Sequence, residues 1–241
     1  MNKDLPSRLP GVAGPLLALA AMGYAHLASA DAVSPLNGLV SEYALRVDSA
    51  WAMTGGTIAL AMGCLWVAYL LARVDPVRGA AARALFVASA LGLLLTATFP
   101  TDAAPGVTSI GGEIHRWSAA VVFTALPCAG WMLGRRSGSR ALAGAAVASV
   151  VLLAWFLAAH PGSLVSDLIG GPDHYGLAQR LLLLSEMTLV LLAALRSGHL
   201  DGDDATDRLG HRRPGSDRGV TVPIQPGPND ARRPHQPIGR L

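Results

Sequence analysis

The chain has 241 residues, 51% hydrophobic and only 15% charged, with a formal charge of +3. So apolar a chain is not an ordinary soluble domain, and so small a positive excess is no nucleic-acid footprint. The two cysteines, Cys64 and Cys128, both fall in apolar stretches, so neither a disulfide framework nor zinc-ligand spacing is expected.

Six long apolar stretches follow one another, at residues 9–30, 50–72, 84–101, 117–134, 141–160 and 176–195. At 1.5 Å rise per residue, about 20 apolar residues cross a ~30 Å hydrocarbon core. Unpaired backbone groups cannot face lipid, and the runs lack the period-2 alternation of a barrel. The predicted fold is therefore all-α, a polytopic bundle of six transmembrane helices, with membrane lipids as its surroundings. Residues 1–196 form the membrane domain. Residues 197–241, rich in Gly, Pro, Asp and Arg, read as a disordered cytoplasmic tail.

Arginine alternates between connections. Lys3 and Arg8 precede the first helix, Arg73, Arg78 and Arg83 surround the second connection, and Arg135, Arg136 and Arg140 the fourth. The other connections hold mostly acids: Asp31, Glu42 and Asp48, then Asp102 and Glu113, then Asp167 and Asp173. The positive-inside rule puts both termini in the cytoplasm of a multi-pass cell-membrane protein. A competing reading treats residues 1–30 as a signal peptide cut after Ala28-Ser29-Ala30. The apolar run is too long for an ordinary signal core, and a retained anchor is expected.

Gly55, Ala59 and Gly63 in the second helix form a small-xxx-small ridge suited to an internal helix contact, and Ala141, Ala145 and Ser149 repeat the pattern in the fifth. Pro127 is expected to kink the fourth helix. Polar residues gather in the acid-bearing connections. Asp102 and His115 sit at the ends of consecutive helices, where a mutual contact is conceivable. His160, His174 and Arg180 flank the fifth connection, with Gln179 beside them. They read either as staples between loops and helix ends or as a ligand or metal site. Glu186, about ten residues into the sixth helix, lies near the bilayer midplane and should be protonated or paired. Thr54, Thr57, Ser89, Ser118 and Thr124 are the candidate partners.

Pro35, Leu36, Ser41, Glu42 and Tyr43, then Phe99-Pro100-Thr101-Asp102, then Gly112 with His115, then Gly176 with Gln179-Arg180, resemble the bacterial six-helix membrane family known as domain of unknown function 998. That family is in turn similar in layout to the Frag, DRAM and Sfk group. The resemblance implies the helix topology and no reaction.

Three functions compete. The first is a non-enzymatic protein with a structural, sensing or lipid-organising role. The second is a metal-dependent hydrolase of lipid-like substrates, with Asp102, His115, His160 and His174 as the pool of zinc ligands. The third is a small-solute transporter using Glu186. No phosphate-cradling loop, dinucleotide fingerprint, nucleophile elbow or haem-attachment motif is present. No cofactor and no partner protein can be named from the sequence.

Overall fold

A computed structural model describes residues 9–74, 76–103 and 107–210. Six helices account for nearly all of them: α1 (Leu9–Ala28), α2 (Ala50–Val74), α3 (Ala80–Thr98), α4 (Ile110–Ser137), α5 (Arg140–Ala159) and α6 (Gly171–Gly210). All six carry a segment long and apolar enough to cross a membrane, the one in α6 being Gly171–Ser197. The all-α expectation holds, and the chain is a multi-pass membrane protein.

Helix ends differ from those read off hydropathy, for local reasons. α4 starts at Ile110 rather than Trp117, because Ser109 caps it by accepting a hydrogen bond from the Gly112 amide at 3.0 Å. The polar residues Glu113, His115 and Arg116 are thus helical. α3 begins at Ala80 and stops at Thr98, since Pro100 disfavours a helical Phe99 before it. α6 starts at Gly171, with Pro172 in its first turn, where a missing amide proton costs nothing. It also continues past Leu195 into the expected tail; residues 211–241 of that tail, like Lys3, Arg8 and Pro105-Gly106, lie outside the described residues. α4 and α5 are joined by Gly138, whose φ of 66° is the left-handed conformation that glycine adopts without strain.

Helix neighbours in sequence pack on one another from α1 to α6, and α6 also touches α1, α2 and α4, so it runs close to the centre. Small residues set the distances, as is required where lipid offers no hydrophobic drive for helix association. Gly14 of α1 lies against the Ala59 carbonyl and the Gly63 backbone of α2, and Gly56 lies against Ala18 and Ala21. The ridge expected on α2 therefore exists as an internal contact, but its outer member is Gly56. Nothing lies within 4 Å of where a Gly55 Cβ would stand. Gly134 of α4 meets the Ala143 backbone of α5, and Gly130 meets Leu189 of α6. On α5, Ser149 hydrogen-bonds Ser185 of α6 at 2.8 Å. Pro127 is buried inside α4.

Candidate functional site

The connections α1–α2, α3–α4 and α5–α6 lie at one end of the bundle, here called the acidic end. Two of them are latched to helix ends. In the first, a short 3-10 helix, Val40–Leu45, follows the extended residue Leu39, whose amide donates to the Glu42 carboxylate at 3.1 Å. It is held down by the first turns of α6. The Leu177 amide donates to the Leu36 carbonyl at 2.9 Å, and the Val40 amide donates to Gln179 Oε1 at 2.6 Å. Arg180 donates to the carbonyls of Gly38, at 2.7 Å, and Gly176, at 3.0 Å, and to the Tyr43 hydroxyl at 2.9 Å. Gly176 is needed here: a Cβ would fall on the Gly38 carbonyl oxygen.

Tyr43 is fully buried, and its hydroxyl lies 2.9 Å from His26 Nδ1. Arg180 can only donate to that hydroxyl, so the tyrosine proton is directed to the imidazole. The arrangement ties α6, the first connection and α1 into one polar chain. Beside it the Ser49 hydroxyl gives its single proton to the Tyr43 carbonyl at 2.8 Å, which leaves Ser29 as the donor in the 2.9 Å contact between the two serines.

The second latch closes the α3–α4 connection on itself. Asp102 accepts from the Ser109 amide at 3.2 Å and hydroxyl at 2.6 Å, and pairs with Arg116 at 3.5 Å. Its carboxylate fills the space beside Gly112 that a Cβ would need. His115 instead bonds the Phe99 carbonyl through Nδ1 at 2.8 Å. The conceivable contact between Asp102 and His115 is therefore replaced by separate bonds, because the longer α4 carries His115 into its second turn, facing inwards.

His160 ends α5 at the third connection, and His174 lies in the first turn of α6. His160 Nδ1 accepts from the Gly162 amide at 2.9 Å and its ring meets Tyr175 edge-on, while His174 Nδ1 lies 3.2 Å from the Gly170 carbonyl. Among the described residues no three His, Cys, Asp or Glu side chains come together as metal ligands. The proposed ligand pool is thus dispersed over two connections and the helix ends beside them, each member with a local partner.

Glu186 is 1% exposed, and neither carboxyl oxygen has a hydrogen-bond partner among the described residues. Three of the five hydroxyls considered for it turn to their own helices: Thr57 donates to Met53, Ser89 to Leu85 and Thr124 to Ala120, each at 2.8 Å. Helix geometry matches seven-residue steps to nearly two turns, so Glu186 lies below Gln179 on the same face of α6, ~10 Å deeper. The buried thiol of Cys64 lies within its electrostatic reach.

Between the two latches lies a cavity of about 260 Å³, bounded by the 3-10 helix, α2, α3, α4 and α6. Its polar lining is Ser41, Thr54, Thr57, Thr96, His115 and Gln179; Met53, Leu93, Val122, Phe123 and Leu183 are among the apolar walls. Among the described residues no carboxylate, lysine or arginine lines it, and His115 is the one ionisable residue that does. Sequence reading placed His115 and Gln179 near this end. It missed His26 and Thr96, whose spacing on apolar helices looks like that of any small polar residue.

A bundle of six apolar helices, with two hydrogen-bonded latches and an interhelical cavity at its acidic end, defines a multi-pass membrane protein. Residues 12–196 match the family described as protein of unknown function (DUF998), and the chain belongs to that family. No curated protein and no solved structure matches it.

Proposed function

We propose that the protein is a non-enzymatic membrane protein that binds a small ligand in the cavity at its acidic end, in a sensing or lipid-organising role. The observation that carries this reading is the cavity itself, a half-open cleft between two hydrogen-bonded latches, lined by polar groups among apolar walls. Convergent polar groups in an otherwise apolar pocket are what a binding site requires. The lining lacks the parts of a hydrolase, since His115 is held by a backbone carbonyl with no carboxylate behind it.

Both termini are assigned to the cytoplasm, which places the cavity in the outer leaflet half. The support is the arginine distribution, with Arg73, Arg83, Arg135 and Arg140 all at the opposite end. Retention of α1 is part of the same reading: it supplies His26 to the Tyr43 contact and Gly14 to the α2 interface.

An organic extract of the host membranes tests the reading. It should raise the unfolding temperature of the wild-type protein in nanodiscs, and a ligand at a hundred times its Kd stabilises by about 2.7 kcal/mol. In Ala97→Leu, which fills the cavity from α3, the rise should vanish while the variant stays folded. An equal rise in both proteins, or none in the wild type, would reject cavity binding.

A further inference from the structure

The proposed ligand site has a hydrogen-bonding signature that specifies what it takes. The Phe99 carbonyl can only accept, so His115 Nδ1 carries a proton, and in the neutral ring Nε2 is left as an acceptor. The Thr57 and Thr96 hydroxyls spend their protons on the carbonyls of Met53 and Leu93, both at 2.8 Å, which leaves oxygen lone pairs on the lining. Gln179 uses Oε1 on the Val40 amide, so its NH2 group remains as a donor. The lining therefore offers several acceptors together with the Gln179 amide and the Ser41 and Thr54 hydroxyls, and no Asp, Glu, Lys or Arg among the described residues.

A carboxylate or phosphate would find donors but no lysine or arginine among the described lining residues, and would bring an unpaired anion into low dielectric. An ammonium would enter without a counter-ion, because no acid among the described residues lines the cavity. A hydrocarbon would leave the lone pairs and the amide unpaired, and buried polar groups left unpaired are costly. An alcohol satisfies both kinds of group with one oxygen: it accepts from Gln179 and donates to His115, Thr57 or Thr96. At ~30 Å³ for a group the size of a water molecule, the cavity of about 260 Å³ holds roughly nine heavy atoms.

We infer that the cavity between the two latches binds a neutral aliphatic alcohol group, with the hydroxyl among Gln179, His115, Thr57 and Thr96 and the first carbons against Leu93, Val122 and Leu183. Two sources carry this chemistry, a free long-chain alcohol and the hydroxyl end of a neutral glycerolipid. The inference rests on the ligand-binding reading above and names the ligand class for that site.

The test uses the full chain in phosphatidylcholine nanodiscs with methyl-labelled methionine, because Met53 is the methionine among the described lining residues of the cavity. Its signal is assigned through Met53→Leu. 1-Octanol should shift the Met53 methyl resonance saturably, and one of Thr57→Val, Thr96→Val and His115→Phe, the one that removes the acceptor of the single hydroxyl proton, should weaken that binding about 3- to 10-fold, the worth of one net hydrogen bond. Octanoate at pH 8 and octane should leave the resonance unsaturated. Dioctanoylglycerol separates the sources: saturation at lower concentration than octanol assigns the glycerolipid, and saturation by octanol alone assigns a free alcohol. Saturation by octanoate or octane as tight as by octanol overturns the alcohol assignment and leaves cavity binding standing. Unchanged octanol affinity in all three variants also overturns it. If no probe saturates the Met53 shift, the alcohol assignment falls, and the membrane-extract experiment decides separately whether the cavity binds anything.

Discussion

Replacing Gly176 by alanine probes the latch that closes the cavity. The new Cβ would overlap the Gly38 carbonyl oxygen and stand 2.8 Å from an Arg180 guanidinium nitrogen and 2.9 Å from the Asn37 carbonyl carbon. Two of those three neighbours are backbone, so the first connection itself must move. Overpacking of this kind costs about 1–3 kcal/mol. Movement also strains the bonds from Leu177 to Leu36, Val40 to Gln179 and Arg180 to Gly38, of which each neutral one is worth about 0.5–1.5 kcal/mol. The helix preference for alanine over glycine returns at most about 1 kcal/mol. A net loss of about 1–3 kcal/mol is expected from the balance of these effects.

Gly55→Ala is the matched control, since nothing lies within 4 Å of its Cβ position and the helix preference acts alone. It should be neutral or stabilising by up to about 1 kcal/mol. The assay is equilibrium unfolding in mixed micelles, with limited proteolysis of residues 36–48 as a second readout. Gly176→Ala should unfold more easily and expose that segment to protease. If the two variants agree within about 0.5 kcal/mol, the scatter of an unremarkable substitution, and the segment stays protected, the latch does not bear on the fold as argued.

Glu186→Met removes a buried carboxyl group with no hydrogen-bond partner and keeps a similar volume, so it should stabilise the protein by about 1–3 kcal/mol in the same unfolding assay. Destabilisation would show that the carboxyl group has a favourable role in the fold. Gly56→Leu should separate α1 from α2, because even a Cβ would stand 2.5 Å from that of Ala21, while Gly55→Leu faces open space and should be tolerated. A chain split after residue 30 tests the same interface: wild-type α1 should co-purify with residues 31–241, and the Gly56→Leu fragment should not. Tyr43→Phe removes the hydroxyl between Arg180 and His26 and should cost about 1–3 kcal/mol, because it leaves a charged donor without one of its acceptors; an unchanged stability would mean that the contact contributes nothing.

Hydropathy made the six helices legible, because a lipid environment leaves few alternatives for a run of about 20 apolar residues. Helix ends were less legible where polar side chains do the capping: Ser109 starts α4 a full turn and more before the apolar run begins. The depth and burial of Glu186 followed from counting residues, but its lack of a hydroxyl partner did not, since Thr57, Ser89 and Thr124 bond within their own helices. Asp102 and His115 were placed at the right end of the bundle and in the wrong relation to each other. Which side chain a loop carboxylate selects depends on turn geometry, here the approach of Asp102 to Ser109 and Gly112. The latch between Gly176 and Arg180 and the first connection spans some 140 residues of chain, and no local pattern reports such pairing. The cavity was the least legible feature of all, because threonines scattered along apolar helices reveal their common face only when the helices are packed.

Native mass spectrometry of the protein released from nanodiscs tests ligand binding in the cavity most directly. Wild-type protein should retain a neutral small molecule that Ala97→Leu does not, seen as a discrete added mass on one and not the other. Identical spectra from the two proteins, whether bare or equally lipid-laden, would contradict the account.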